Sequence, residues 1–589
     1  MIADLVRFGV LLFLLSAAST YAGASRPANT PPADLVVING NVLTVDADFS
    51  QAEAVAIHGG VFVAVGANRD VEKLVGPSTR VIDARGQSVV PGLIETHVHP
   101  LNAAREESVQ PYEQVSSIAE IQDWVRRTVR EVPRGKWIKV PRCYPTRIRE
   151  RRYPTRAELD PATDLDHPVV FDAAFAYVLS TGALKAAGIT RDTVTPPGHE
   201  IFKDANGNPT GLIRNSFGVL EQSALVGRFM PIGHLTEEKT LDMLEQLHLR
   251  YSEVGITSIN ERWERMDRFR RYYDKLKEQG RLRVRAMLTT EFTPGMSAEA
   301  IRKAIEKLPE KFGDGDDWVR IGALKILVDG GILLGTAYLR EPYGPNAKNL
   351  YGITDPTYCG KLSLPEQRIQ DFIREAHRSG WQTGAHVTGD RGVDIVLDAV
   401  EAADRDLPVG DRRFTLIHAY FPNSETARRA ARLGVCVDTQ PAWYYHDADA
   451  IVTVLGEERI SRFIGISEWV RNGVKVALNS DHMSGFDPDT ALNPFNPFLT
   501  IWIAVTRQTA GGRIMGPDQR ISRRDALRMV TINAAYLDFE EKKKGSIEVG
   551  KLGDLAVLSD DFMACDENRI KGIRSVATVV GGRVMYERK

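Results

Sequence analysis

Two histidines one residue apart close a short apolar run, Val89-Val90-Pro91-Gly92-Leu93-Ile94-Glu95-Thr96-His97-Val98-His99-Pro100. Side chains alternate across a β-strand, so on a strand His97 and His99 project from one face at its carboxyl end. Imidazoles placed in this way can hold one divalent ion together, although two partly exposed polar side chains would show the same pattern. The metal reading makes a demand on the rest of the chain. Further ligands must stand at the ends of later strands, with an acidic group near the last.

The chain meets that demand in order. His386 follows Thr383-Gly384-Ala385, His418 closes Phe414-Thr415-Leu416-Ile417, and Asp481 follows Val476-Ala477-Leu478-Asn479-Ser480. Histidine and carboxylate are borderline donors that zinc, manganese or iron accept, and a catalytic site keeps one position open for water. Asp481 has the right type for a general base. It would take a proton from metal-bound water as that water attacks a carbonyl, then return it to the leaving nitrogen. Its neighbour His482 is read as a substrate contact or as a partner that steadies Asp481. Lys325 lies in an apolar run, 319–327, just before Asp329-Gly330-Gly331. An ammonium is no ligand. Carboxylation by carbon dioxide would make Lys325 a carbamate able to bridge two metals, an ion pair with Asp329 is the other reading, and residue chemistry alone does not choose.

Stepping from these residues to the elements that must hold them, eight short β-rich runs are expected. They are the run ending at His97 and the segments 168–171, 257–260, 319–327, 383–386, 414–418, 435–438 and 474–478, alternating with helical stretches. Eight βα units point to a (β/α)8 barrel over 88–535, whose site lies at the carboxyl ends of its strands. Two insertions are expected, at about 105–167 and 181–255. Trp137, Arg142, Tyr144 and Tyr177 fall in or near them, with packing as their default role. Short strands before residue 87 and after 536 are expected to join into one small composite β-sandwich domain (25–87 with 536–589), because a few hairpins cannot bury a core alone.

Composition narrows the function. With 75 basic and 77 acidic residues the net charge is −2, so neither nucleic acid nor an anionic membrane surface is an implied partner and a small-molecule substrate is expected. Arg7, the apolar run 8–18 and Ala22-Gly23-Ala24 read as a secretory signal peptide over 1–24, which predicts a periplasmic or secreted enzyme with no membrane insertion after cleavage. The four cysteines, Cys143, Cys359, Cys436 and Cys565, are too far apart for a close-spaced zinc motif and permit one disulfide. A homo-oligomer is compatible with all of this.

The chain resembles the amidohydrolase superfamily, and within it the amidohydrolase-3 branch that includes N-substituted formamide deformylase and D-aminoacylase-like proteins. The resemblance runs over nearly the whole mature chain, in "ADLVVINGNVLTVD", "PGLIETHVHP", "LKILVDG" at 324–330, "HVTGDRGVD" at 386–394, "SDH" at 480–482 and the closing "GSIEVGKLGDLAVL". It implies His97 and His99 as ligands of a first metal, Lys325 as a carboxylated bridge, His386 and His418 as ligands of a second metal, and Asp481 as the metal-contacting base. The cofactors implied are one or two zinc ions per chain and a carbon dioxide-derived carbamate.

Departures from the branch concern the substrate. Relatives often carry Asp-Gly-His-Ala-Ala-Trp-Val-Asn where this chain has Asp172-Ala173-Ala174-Phe175-Ala176-Tyr177-Val178-Leu179, so Ala174 replaces a pocket histidine and Leu179 an asparagine. Ile332-Leu333-Leu334 is likewise more apolar than the family pattern, and Ile417 stands where Glu commonly precedes the histidine. Ala174, Tyr177, Leu179, Leu334 and His482 are therefore the expected substrate contacts. The expected activity is metal-dependent hydrolysis of a carbon-nitrogen bond in a linear amide or N-acyl compound with a bulky or hydrophobic group, by attack of metal-bound hydroxide. An esterase, lactonase or carbamate hydrolase is the alternative. A non-catalytic periplasmic binding protein is opposed by retention of all six site residues.

Overall fold

Eight parallel strands follow one another around a nearly closed barrel: β1 (Leu93–Val98), β2 (Ile256–Arg262), β3 (Arg285–Glu291), β4 (Val319–Leu327), β5 (Thr383–Val387), β6 (Thr415–His418), β7 (Cys436–Thr439) and β8 (Val476–Leu478). Each pairs with the strands before and after it in sequence. The ring is drawn together between β8 and β1 by a parallel bridge from Val98 to His482 and by the His99 N–H donating to the His482 carbonyl at 2.8 Å. The computed structural model describes residues 31–196, 199–215, 225–229, 235–262, 266–292 and 297–588. The expected signal peptide lies outside them.

Almost every residue of β1, β2 and β4 is buried; β4 reads as the near-continuous apolar run expected of a strand covered on both faces, whereas β1 and β2 bury polar residues such as Glu95, Thr96, Asn260, Glu261 and Arg262. Outer helices begin where the sequence supplies caps. Thr236 accepts from the Lys239 N–H ahead of Glu237–Glu253, and Asn423 from the Thr426 N–H ahead of Ser424–Arg432.

One expected strand is misplaced. Segment 168–171 is not a barrel strand. Val169–Asp172 belongs to a separate five-stranded sheet, beside Ile138–Val140 and Ala176–Leu179, and the third barrel strand is Arg285–Glu291. The physical reason is burial. Val169 and Phe171 pack into the main core while Val170 packs with Tyr177, Leu179 and Phe229 in a second one, so this segment is covered on both faces like a barrel strand. Consequently the two expected insertions are one excursion between β1 and β2, and its sheet roofs the carboxyl end of the barrel.

Both chain ends meet in a second region. A six-stranded sheet places Leu555–Leu558, Ser575–Val580 and Arg583–Glu587 beside Ser88–Pro91, Asn41–Leu43 and Gln51–Ala52. A four-stranded sheet built from Leu35–Ile38, Ala54–His58, Val61–Gly66 and Arg80–Asp83 supplies the partner layer, and Val37, Val55, Val89, Leu555 and Val579 share one core. All four cysteines are free. No helix among the described residues is long and apolar enough to cross a membrane.

Candidate metal centre

Strand register brings four of the six expected side chains to one end of the barrel, His99 follows directly after β1, and Asp481 joins them from the turn after β8. Lys325 of β4 is level with Gly384 of β5, Leu327 with His386, and Val387 with His418 of β6. His97, His99, Lys325, His386, His418 and Asp481 all line one cavity of about 430 Å³. His99 Nε2 is 3.1 Å and His97 Nε2 3.6 Å from Asp481 Oδ1. Ligand atoms of these three residues lie within 4.8 Å of one another, a spacing that suits one divalent ion. The His97 and His418 ring centroids are 5.4 Å apart, which joins this trio to the second histidine pair.

The hydrogen positions of that second pair also suit a metal. Gln440 donates through Nε2 to the Asp438 carbonyl, which fixes its Oε1 at 2.6 Å from His418 Nδ1, so that nitrogen carries the N–H. His386 Nε2 faces the Gly330 carbonyl at 3.3 Å and carries its own N–H. Burial pushes His386 down to about 3 and His418 well below its ordinary value, so both rings are neutral. The remaining nitrogens, His418 Nε2 and His386 Nδ1, then face each other at 3.0 Å with a lone pair each. Two such lone pairs repel unless a cation lies against both, and nitrogens bound to one zinc at ~2.0–2.1 Å are separated by about this distance. The donor set fits a divalent metal.

Lys325 Nζ reaches into the cluster, 3.2 Å from His97 Nε2, and burial pushes its pKa down to about 8. The alternative pairing with Asp329 is not what occupies that carboxylate. Asp329 accepts from the Thr388, Gly389 and Tyr338 backbone N–H groups at 2.8, 2.8 and 2.9 Å, shaping the turn after β4.

The backbone is strained where it presents two of these side chains. His418, Ala419 and Asp481 have φ of 80°, 47° and 54°, a region that non-glycine residues rarely adopt. Buried hydrogen bonds hold the turns in place. Glu95 of β1 accepts from the Ser480 N–H at 2.9 Å and hydroxyl at 3.0 Å, and Asn493 Nδ2 donates to the Asp481 carbonyl at 2.6 Å. Asp438 of β7 accepts from Thr96 at 2.5 Å and from Asn479, and pairs with Arg262 at 3.1 Å. Sequence reasoning missed this supporting ring. Its one visible signal was polar residues at the strand ends.

Expected substrate contacts divide. Ala174, Tyr177 and Leu334 line the cavity, and Ala174 takes a positive φ of 66° while its carbonyl accepts from the Tyr177 hydroxyl at 2.5 Å. Leu179 does not reach it. It lies two residues further along its strand, packed under the helix Thr181–Ala186 with Ala183 and Leu184. His482 is also not a cavity residue. Its Nε2 donates to the Gly485 carbonyl at 2.6 Å and its Nδ1 accepts from Tyr251 at 2.9 Å, so it fixes the turn carrying Asp481.

Trp137, Arg142 and Tyr144, for which packing was the default reading, also line the cavity. Beside them a buried charge group spans the roof. Lys139 and Arg142 both pair with Asp172 and Glu106, with separations of 2.9 to 3.2 Å. Those two cations hold the Asp172 and Glu106 carboxyls below their ordinary range despite burial.

A (β/α)8 barrel with histidines and an aspartate converging in a cavity at the carboxyl ends of its strands defines the class of metal-dependent hydrolases. The chain belongs to the amidohydrolase family, whose model matches residues 80–586. An N-substituted formamide deformylase from Arthrobacter pascens is 28% identical over 563 residues, 94% of this chain and 98% of that protein. The Arabidopsis thaliana protein LONG AFTER FAR-RED 3 is 26% identical over 581 residues, 95% of this chain and 93% of its own length. Among solved structures, an uncharacterized metal-dependent hydrolase from Pyrococcus horikoshii OT3 superimposes with a TM-score of 0.66 at 20% identity, covering 91% of this chain and 99% of that one.

Proposed function

We propose that this metal-dependent amidohydrolase cleaves the carbon-nitrogen bond of a linear amide or N-acyl compound bearing a bulky apolar group. The observation carrying the proposal is the cavity itself, in which the histidine-aspartate cluster opens directly onto an apolar wall. Trp137, Ile138, Val140, Phe175, Leu333 and Leu334 supply that wall. The family resemblance to a formamide deformylase supports amide chemistry.

His97, His99, His386, His418 and Asp481 would hold one or two zinc ions, and Lys325, carboxylated by carbon dioxide, would add a further carboxylate donor. Metal bound there supplies Lewis acidity, which activates water and polarises a carbonyl. Burial keeps the four imidazoles neutral, hence available as donors. The lowered pKa of Lys325 leaves a fraction of its amine unprotonated near neutrality, and only the free amine adds to carbon dioxide. Asp481, 3.1 Å from His99 and facing the cavity, is placed to accept the proton of the attacking water and pass it to the departing nitrogen. The apolar wall excludes bulk water and orients the substituent.

Matched amides, esters and carbamates, each with a small or a benzyl substituent, test this reading on the zinc-loaded enzyme. Benzyl amides should be turned over fastest, and Asp481→Asn should lower kcat by about 10²–10⁴-fold. Faster turnover of the esters, equal turnover of the small polar amides, or wild-type rates from the Asp481 variant would overturn it.

A further inference from the structure

We propose that Tyr420 is a catalytic residue whose hydroxyl donates a hydrogen bond to the oxygen of the scissile carbonyl, an inference that rests on the hydrolase reading of this site. Tyr420 stands two residues beyond His418, lines the same cavity and is otherwise buried. Its hydroxyl oxygen lies 3.1 Å from His418 Nδ1, and the phenol has no other hydrogen-bond partner among the described residues.

That contact cannot take up the phenol's proton. His418 Nδ1 already bears a hydrogen, directed at Gln440 Oε1 at 2.6 Å, and Gln440 cannot turn its amide round without setting its oxygen against the Asp438 carbonyl that its Nε2 now bonds at 3.2 Å. A neutral imidazole offers one donor and one acceptor. The acceptor of His418 is Nε2, which faces His386 on the far side of the ring. Towards His418 the Tyr420 oxygen is therefore an acceptor at most, and its own O–H is left uncommitted. A buried hydroxyl is rarely left without an acceptor, and the space it borders is the cavity. The remaining acceptor is a group that arrives there, a water in the resting protein and the substrate oxygen during turnover.

The chemistry fits this position. As water adds to an amide carbonyl, the carbon-oxygen double bond opens and negative charge collects on that oxygen. When the carbon-nitrogen bond breaks, the double bond re-forms and Asp481 delivers the proton to nitrogen. A donor aimed at the oxygen strengthens its bond as the charge grows, so it lowers the barrier more than it aids ground-state binding. The phenol keeps its proton throughout.

Tyr420→Phe is isosteric and orphans no protein atom, since His418 Nδ1 keeps Gln440. In the full-length, zinc-loaded protein, kcat for N-benzylformamide should fall by about 10²–10³-fold. The KM should stay within about threefold, and metal content and Tm should match wild type. Calorimetric affinity for benzohydroxamate, a charged-oxygen probe, should weaken by about tenfold or more. Wild-type kcat in the variant, or a loss that merely tracks lost zinc, would overturn the inference while the hydrolase reading stands. If wild type hydrolyses no amide yet benzohydroxamate binding still depends on Tyr420, the hydrolase reading fails and the donor remains. If wild type hydrolyses no amide and the probe binds both proteins equally, both fall.

Discussion

In the proposed mechanism Lys325 acts as a carbamate, a form that only its unprotonated amine can take. Burial pulls its pKa from the ordinary lysine value to about 8. Between about 8 and the unfolded value the unfolded chain binds the extra proton, so the metal-free, uncarboxylated protein should gain stability as pH rises through that window. Lys325→Met should lose this part of the Tm-pH profile. Under labelled bicarbonate, wild type should show a protein-bound carbamate signal by carbon-13 NMR that grows as pH rises from 7 towards 9 and is absent in the variant. A flat profile in both proteins, with no such signal, would contradict the assignment. Five of the residues gathered in the cavity were legible because histidine and aspartate are rare in apolar runs and these fall where the strands close, whereas Lys325 lies inside β4 and was assigned its role only by the family resemblance. Gln440 and Tyr420 were not, since what matters about them is which atom holds a hydrogen, and that follows only from distances. Leu179 and His482 failed as substrate contacts for a different reason. Leu179 shares a strand face with Tyr177 but lies two residues further from the cavity, and the His482 ring is turned into hydrogen bonds with Tyr251 and Gly485.

At the scale of elements, the barrel was legible and its membership was not. Seven of the eight runs were placed correctly, but Val169–Asp172 mimicked a barrel strand because the roof sheet is buried on both faces too. Arg285–Glu291 was overlooked because it opens on a charge. Arg285 is neutralised by Asp554, which is distant in sequence, with separations of 2.7 and 2.9 Å. One buried clamp fastens the roof to the barrel. Arg147 and Thr146 of the insertion converge on buried Asp447 of the helix Pro441–Ser461, at 2.7 to 3.0 Å. Removing one partner of such a buried pair costs about 3–5 kcal/mol, because the other is left uncompensated. Asp447→Ala should therefore lower stability by that order in denaturant unfolding and raise KM more than it lowers kcat, as the roof loosens over the cavity. An unchanged unfolding midpoint and KM would show that the roof is held elsewhere.

Across the whole molecule, the two chain ends close a β region that packs against the amino-terminal ends of the barrel strands, opposite the centre. Asp554 links the two through Arg285, and the Gly92 N–H donates to the Asp554 carbonyl at 2.9 Å just before β1 begins. This joining was legible because short strands with nothing to pair with must find partners. The site is thus supported from below by this region and roofed from above by the insertion, with His418 and Asp481 on strained turns between them. Such an arrangement is consistent with a metal that contributes to both structure and catalysis. The most direct test is a zinc titration of the full-length protein after chelation, following amine release from N-benzylformamide. The metal-free protein should be inactive, and turnover should rise with added zinc to a plateau at one to two equivalents per chain. Turnover at the untreated rate by protein verified to be metal-free would contradict the account.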